Sequence, residues 1–198
     1  MLNGRTAFVT GGTGAVGAAV VRCLASHGAS VAFSFHKDED KARQLERELA
    51  GQGKRVKAWA LDVLNGAAVA ALAESVGQEL GPVDILVNNA GITQVMPFAL
   101  IEEEDWDRLM DVNVKGMFLV TKAFVRPMIR HKRGAIVNLG SLAGMRVLEV
   151  PVHYATAKSA VVGFTLSLAR ELSSYTVRVN AVVPGLLTDG VSRNVPDD

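Results

Sequence analysis

Six short apolar runs alternate with longer segments of helical period, and this alternation constrains the chain more than any other feature. RTAFVT (5–10), SVAFSF (30–35), RVKAWA (55–60), VDILVN (83–88), GAIVNL (134–139) and VRVNAVV (177–183) have the length and composition of strands. Between them, 14–27, 38–51, 65–80, 103–131 and 152–174 repeat apolar residues at helical spacing. Most of the strand runs are apolar along nearly their whole length, as expected where both faces of a sheet are covered. Strand–helix–strand repetition with right-handed crossovers then gives a parallel, doubly wound sheet. The reading is an α/β fold of three layers, one domain over 1–198, with no linker or internal repeat. Pro127 stands inside the long 103–131 segment and predicts a kink or break near Arg126.

Of the 198 residues, 49% are hydrophobic and 21% charged, enough apolar material for one sizeable core. Lys+Arg 21 against Asp+Glu 20 leaves a net charge of +1, which gives no reason to expect nucleic acid or an anionic membrane as partner. Cys23 is the single cysteine, so no disulfide can form within the chain, which suits a reducing compartment. No apolar run is long enough to span a bilayer, and nothing in the sequence resembles a signal peptide, so none is expected. These features point to the cytosol. Cys23 falls on an apolar stripe with Val16, Val20 and Leu24 and is expected to be buried. GMFLVTKAFV (116–125) and VVGFTLSLA (161–169) are apolar around most of the helix, which predicts cover by the sheet on one side and another subunit on the other. A homo-oligomer, dimer or tetramer, is expected. His27, His36, His131 and His153 are too scattered for metal-ligand spacing.

AFVTGGTGAVGAAVVRCL places glycines between the first strand and the first helix. Gly12, Gly14 and Gly17 satisfy G-x-G-x-x-G in the strand–turn–helix context that gives the pattern meaning. Absent Cβ atoms allow a tight turn, close approach of a pyrophosphate and packing of helix on strand. The helix N-terminus adds free N–H groups and partial positive charge. Gly11, Thr13, Gly14, Val16 and Gly17 are therefore candidate dinucleotide-binding residues. The end of the second strand carries Phe35-His36-Lys37 in place of an acid that would hold the ribose of NAD. Lys37, with His36, faces a 2′-phosphate in this reading, so NADP (as NADPH) is preferred and NAD stays open.

HYATAK (153–158) sets a phenol and an ammonium four residues apart in an alanine-rich helix. Residues i and i+4 share one helical face, so Tyr154 and Lys158 are neighbours. Together with other signals in order along the chain, this pair resembles the classical short-chain dehydrogenase/reductases. The resemblance rests on Thr10-Gly11 to Gly17, Asp62-Val63, NNAG at 88–91, Asn113 in DVNVKG, Ser141 in NLGSLAG, YATAK at 154–158 and Pro184-Gly185. Among members, the chain is most similar to the 3-oxoacyl-carrier-protein reductases and polyketide ketoreductases. The resemblance implies a Rossmann-like fold and four catalytic residues, Asn113, Ser141, Tyr154 and Lys158. Ser141 would hold the substrate oxygen and Tyr154 would exchange the proton. A free phenol has a pKa of about 10 and is a poor base at neutral pH. Lys158 is expected to lower it as a nearby cation and, by resemblance, to bond the nicotinamide ribose. Asn113 would hold a water connecting Lys158 to solvent. Asn88, Ala90 and Gly91 would pass beneath the cofactor, Asp62 and Val63 would flank the adenine, and Tyr154, Lys158, Pro184 and Gly185 complete the cofactor set.

Three positions depart from the family pattern. Ala15 stands where the classical pattern has Gly, Thr188 in PGLLTDGV falls one position early for a carboxamide contact, and the chain stops at Asp198. Members usually continue through further helices and a seventh strand, so a C-terminal part is expected to be missing. The resemblance implies NADPH-dependent reduction of a ketone to a secondary alcohol, on a small-molecule or carrier-protein-linked acyl substrate. The leading substrate is a 3-oxoacyl thioester. Arg126, Arg130, Lys132 and Arg133 are a candidate dock for an acidic carrier near the site mouth, although Tyr175 replaces the second basic position of carrier-binding members. The alternative enzyme is an NAD(P)-dependent dehydrogenase of a free alcohol, sugar or steroid. A non-catalytic dinucleotide sensor is the alternative from another class, and it would be favoured by loss of Tyr154 or Lys158, which are both present.

Overall fold

All four residues of β1 (Thr6–Val9) and five of the six in β2 (Ser30–Phe35) are buried, as two-sided cover requires. The computed structural model describes residues 1–187, so Thr188 lies outside the described residues. Around this pair run α1 (Ala15–Ser26), α2 (Glu39–Gly51), β3 (Val56–Ala60), α3 (Gly66–Leu80) and β4 (Ile85–Asn88). α4 (Glu103–Met110), α5 (Gly116–His131), β5 (Gly134–Leu139), α6 (Val152–Leu172) and β6 (Val177–Val182) follow. Among the described residues the strands form one parallel sheet in the order β3-β2-β1-β4-β5-β6. Strand order reverses between β1 and β4, where a doubly wound sheet opens a crevice at the strand carboxyl ends. β3 and β6, at the two margins of this sheet, are less covered than its middle.

Two apolar clusters fill the space between the layers. On one face, Val21 and Ala25 of α1 and Ala42, Leu45 and Leu49 of α2 meet Val9, Val31 and Phe33. On the other, Val69, Leu72 and Val76 of α3, Phe124 and Met128 of α5 and Leu172 of α6 meet Phe8, Leu86 and Ile136. Phe8 and Phe124 stack with ring centroids 4.5 Å apart. Such a pair adds about 0.5–1.5 kcal/mol beyond the area it buries. Asn65 starts α3 by accepting a hydrogen bond from Ala68 N at 3.0 Å.

Two expectations change. α5 runs unbroken through Pro127, and the irregularity of the 103–131 segment lies earlier, in a π-helical turn at Asp111–Lys115. Phe124 and Met128, either side of Pro127, are buried against the sheet, and this packing holds the helix where local propensity would end it. Cys23 is exposed. The buried face of α1 is Gly17, Val21 and Ala25, the small-residue face that lets the helix approach the strands closely.

Candidate active site

The turn after β1 is tied to the turn after β4 by a small set of hydrogen bonds. Thr10 Oγ accepts from the backbone N–H groups of Asn89 and Ala90, both at 2.9 Å. Asn89 Nδ2 donates to the carbonyls of Thr10 at 2.9 Å and Gly11 at 3.0 Å. Neither Thr10 nor Asn89 figures among the site residues expected from sequence, although both lie inside the quoted motifs. A Cβ at Gly17 would overlap the Gly11 carbonyl and lie 2.7 Å from Asn89 Nδ2, so only glycine closes this turn. Gly14 precedes α1 with no side-chain cap, and Ala15-Val16-Gly17 brings no acid to the first turn. The N–H groups and partial positive charge of α1 are thus left for an outside anion. Ala15 sits exposed at the first helical position and leaves the turn intact. The pyrophosphate of a dinucleotide fits this cradle.

Around it, His36 and Lys37 emerge exposed from the end of β2. Exposed Asp62 accepts from Leu64 N at 2.9 Å, shaping its own turn, while Val63 is buried against Gly116. Asn88 is turned into the core. Its Nδ2 donates to Thr121 Oγ1 at 2.9 Å and Asn138 Oδ1 at 2.8 Å, and Asn138 Nδ2 donates to Thr165 Oγ1 at 2.9 Å. This buried polar ladder ties β4 and β5 to α5 and α6, so Asn88 braces the floor of the crevice from below. Ala90 and Gly91 continue along the crevice. Pro184 O, after β6, accepts from Leu142 N at 3.0 Å, and Gly185 packs on Leu142.

Ser141, Tyr154 and Lys158 come together. Ser141 leaves the carboxyl end of β5, its Oγ accepting from Ala143 N at 3.2 Å. The short 3-10 turn Leu142–Gly144 then lies directly on α6, where a Cβ at Gly144 would overlap the Lys158 carbonyl. That contact holds Ser141 against the α6 face carrying Tyr154 and Lys158. The Lys158 ammonium stands 5.7 Å from the Tyr154 ring centroid and donates to Leu139 O at 2.9 Å. Lys158 is only 8% exposed, and burial lowers its pKa to about 8.

Tyr154 differs from expectation. Burial raises its pKa above 10.0, and the neighbouring Ser141 hydroxyl offsets that only in part. The Lys158 charge is itself destabilised by burial and is engaged by a backbone carbonyl. Asn113, in the π-helical turn, donates through Nδ2 to Ile92 O and Leu109 O, both at 3.0 Å. Its Oδ1 is buried and finds no hydrogen-bond partner among the described residues. A Cβ at Gly91 would lie 2.6 Å from that oxygen and 3.7 Å from Lys158 Nζ, so Gly91 keeps open the space they share.

His153, beside Tyr154 in sequence, is fully buried, and neither ring nitrogen has a partner among the described residues. Burial lowers its pKa below 6.5, and Asp105 opposes this weakly. A depressed folded pKa means that the unfolded chain takes up protons first. Stability is therefore fully present above about pH 6.5 and is lost as pH falls through the lowered folded value. Thermal melts should drop on going from pH about 7.5 to about 5, and His153→Leu should flatten that drop. Identical slopes for the two proteins would exclude His153 as the source.

The basic residues Arg126, Arg130, Lys132 and Arg133 do not border this site. They gather at the end of α5 and before β5, with Arg133 paired to Asp84 at the start of β4, whereas Ser141 follows the opposite end of β5. Eight residues at strand rise separate Arg133 from Ser141 by roughly 25 Å.

The short chain dehydrogenase family profile matches residues 5–198. The 3-oxoacyl-[acyl-carrier-protein] reductase of Vibrio cholerae is 36% identical over 197 residues, covering 100% of this chain and 79% of that protein. Oxidoreductase UcpA of Salmonella typhimurium is 38% identical over 203 residues, covering 100% of this chain and 76% of that protein. Among solved structures, an NAD+-bound xylitol dehydrogenase superposes with a TM-score of 0.91 at 33% identity, covering 96% of this chain and 73% of that one. With the profile spanning nearly the whole sequence and a glycine turn, Ser141, Tyr154 and Lys158 meeting on one parallel sheet, the chain belongs to the short-chain dehydrogenases, a family of NAD(P)-dependent oxidoreductases.

Proposed function

We propose that this protein is a cytosolic, NADPH-dependent ketoreductase that reduces a 3-oxoacyl thioester on an acyl carrier protein to the secondary alcohol. The observation that carries this reading is the convergence of Ser141, Tyr154 and a buried Lys158 at the carboxyl end of the sheet. The glycine turn and Lys158 would hold a reduced nicotinamide dinucleotide, which when bound would supply a hydride for the carbonyl carbon. The Ser141 hydroxyl donates a hydrogen bond to the substrate oxygen as negative charge gathers there. The Tyr154 phenol then gives its proton to that oxygen. Burial raises the Tyr154 pKa, a direction that favours the phenol, the form that donates a proton in reduction. Lys158 stabilises the phenolate left behind, and Asn113 Oδ1 offers the acceptor through which a relay water returns the proton.

Substrate class is supported by the surroundings and by the relatives. The loops after β4, β5 and β6 expose Phe98, Leu100, Met145, Val147, Leu148 and Leu186. An apolar rim of this kind suits an acyl chain better than a polyol. The Vibrio cholerae relative is named as a reductase of the same thioester class. We further propose a homo-oligomer, since Phe118 of α5 and Leu166 of α6 stand exposed on the faces expected to be covered by a second copy.

Steady-state assays with an acetoacetyl thioester and with free ketones and alcohols, each with NADPH and NADH, test the reading. Turnover of the thioester with NADPH is expected. Turnover of free alcohols alone would replace it with the dehydrogenase alternative, and dinucleotide binding without any turnover would replace it with the sensor.

A further inference from the structure

Asn138 is a fully buried polar side chain in β5, whose other side chains are apolar. A buried amide costs stability unless it is hydrogen-bonded, and Asn138 uses both its ends. Its Oδ1 accepts from Asn88 Nδ2 at 2.8 Å and its Nδ2 donates to Thr165 Oγ1 at 2.9 Å. Thr165, also buried, sends its own proton to Val161 O at 2.7 Å, which fixes its hydroxyl as the acceptor for Asn138. Thr165 stands two turns after Lys158 on the same face of α6. Leu139, next to Asn138, supplies the carbonyl that holds the Lys158 ammonium at 2.9 Å. One strand and one helix face are thus tied by two polar contacts, about 10 Å apart along the helix axis.

We propose that Asn138 and Thr165 are positioning residues that fix the direction of α6 against β5 and so hold Tyr154 and Lys158 opposite Ser141, an inference that rests on the functional reading above. The other buried residues of this stretch of α6 include Ala157 and Val161, and apolar contact is non-directional. At the near end, Gly144 lies against the Lys158 carbonyl. A helix held there alone can pivot about that point. A hydrogen bond two turns away removes the freedom, because it prefers one distance and one angle. Ser141 follows Asn138 on the strand, whereas Tyr154 and Lys158 ride on the helix, so a pivot of α6 changes their separation from Ser141. Thr121 provides the comparison within the same ladder. It is equally buried and accepts from Asn88 at 2.9 Å, but it lies on α5, which carries none of the three.

Thr165→Val and Thr121→Val each delete one buried hydroxyl at nearly constant volume, so both variants keep the fold with a lowered unfolding midpoint. Thr165→Val should lower kcat about 10- to 100-fold, the scale of a small misplacement of reacting groups, with KM within about twofold of wild type. Thr121→Val should leave kcat within about twofold, and Thr165→Ser, which keeps the hydroxyl, should restore it. NMR titration of isotope-labelled lysine gives a second readout without turnover, the Lys158 signal being identified by its loss in Lys158→Met. Wild-type Lys158 titrates at about 8. Thr165→Val should move that midpoint upward by about half a pH unit or more as water reaches the ammonium, and Thr121→Val should leave it in place. An unchanged kcat or an unchanged Lys158 midpoint in Thr165→Val, or equal changes in Thr121→Val, would overturn the assignment. A wild-type protein that turns over no carbonyl substrate would bring down the functional reading, and the Lys158 midpoints would then decide the positioning by themselves.

Discussion

Tyr154→Phe should reduce turnover by about 10²- to 10⁴-fold, the range for losing a positioned acid–base group, while NADPH binding stays within about twofold of wild type. The phenyl ring keeps the shape that packs α6 against the Ser141 turn, and only the transferable proton is lost. Because Ser141 still donates to the substrate oxygen, KM should move little and kcat should carry the defect. Single-turnover kinetics with bound NADPH separate these quantities. Near-normal kcat in the variant would remove Tyr154 from the reaction, and loss of NADPH binding would mean that the hydroxyl serves the cofactor.

Lys158→Met should abolish activity and at the same time stabilise the protein by about 1–3 kcal/mol, the gain typical when a buried charge gives way to an apolar side chain of similar size. Burial brings the ammonium from 10.5 to about 8. At neutral pH the folded state therefore carries a charge that costs on the order of 3 kcal/mol relative to solvent. The lost hydrogen bond to Leu139 O accounts for the smaller net gain. The sign is fixed by linkage. Between about 8 and 10.5 the folded protein sheds this proton before the unfolded chain does, so wild-type stability gains on the variant as pH rises through that window. Denaturant unfolding of both proteins at pH about 7 and about 10 checks it. A variant less stable than wild type at neutral pH would show that Lys158 is there for structure. The expected result instead marks it as a group held at a cost to stability for the sake of chemistry.

Much of this was legible before any fold was known. The strand runs, the helices between them and the glycine turn are patterns within a few residues, set by burial on two faces and by missing Cβ atoms. Helical spacing makes Tyr154 and Lys158 neighbours, but their selection as a reacting group with Ser141 rests on the family resemblance. Other features were not legible, for identifiable reasons. Cys23 was expected on the buried face because α1 is apolar around much of its circumference. Packing chose the face of Gly17, Val21 and Ala25, where a helix can come nearest the sheet. Pro127 was expected to end a helix that tertiary contacts carry straight through. The basic cluster before β5, a candidate carrier dock, lies at the amino end of that strand and away from Ser141 at its carboxyl end, a separation that strand rise already implies.

The sequence by itself determined the kinds of element, their order and the chemical groups available at the strand ends, because these depend on local periodicity and on residue type. Only the tertiary structure decided how the pKa values of those groups shift. That of Tyr154 rises and those of Lys158 and His153 fall because residues distant along the chain strip water from them. Desolvation is a property of packing, and no local sequence pattern records it.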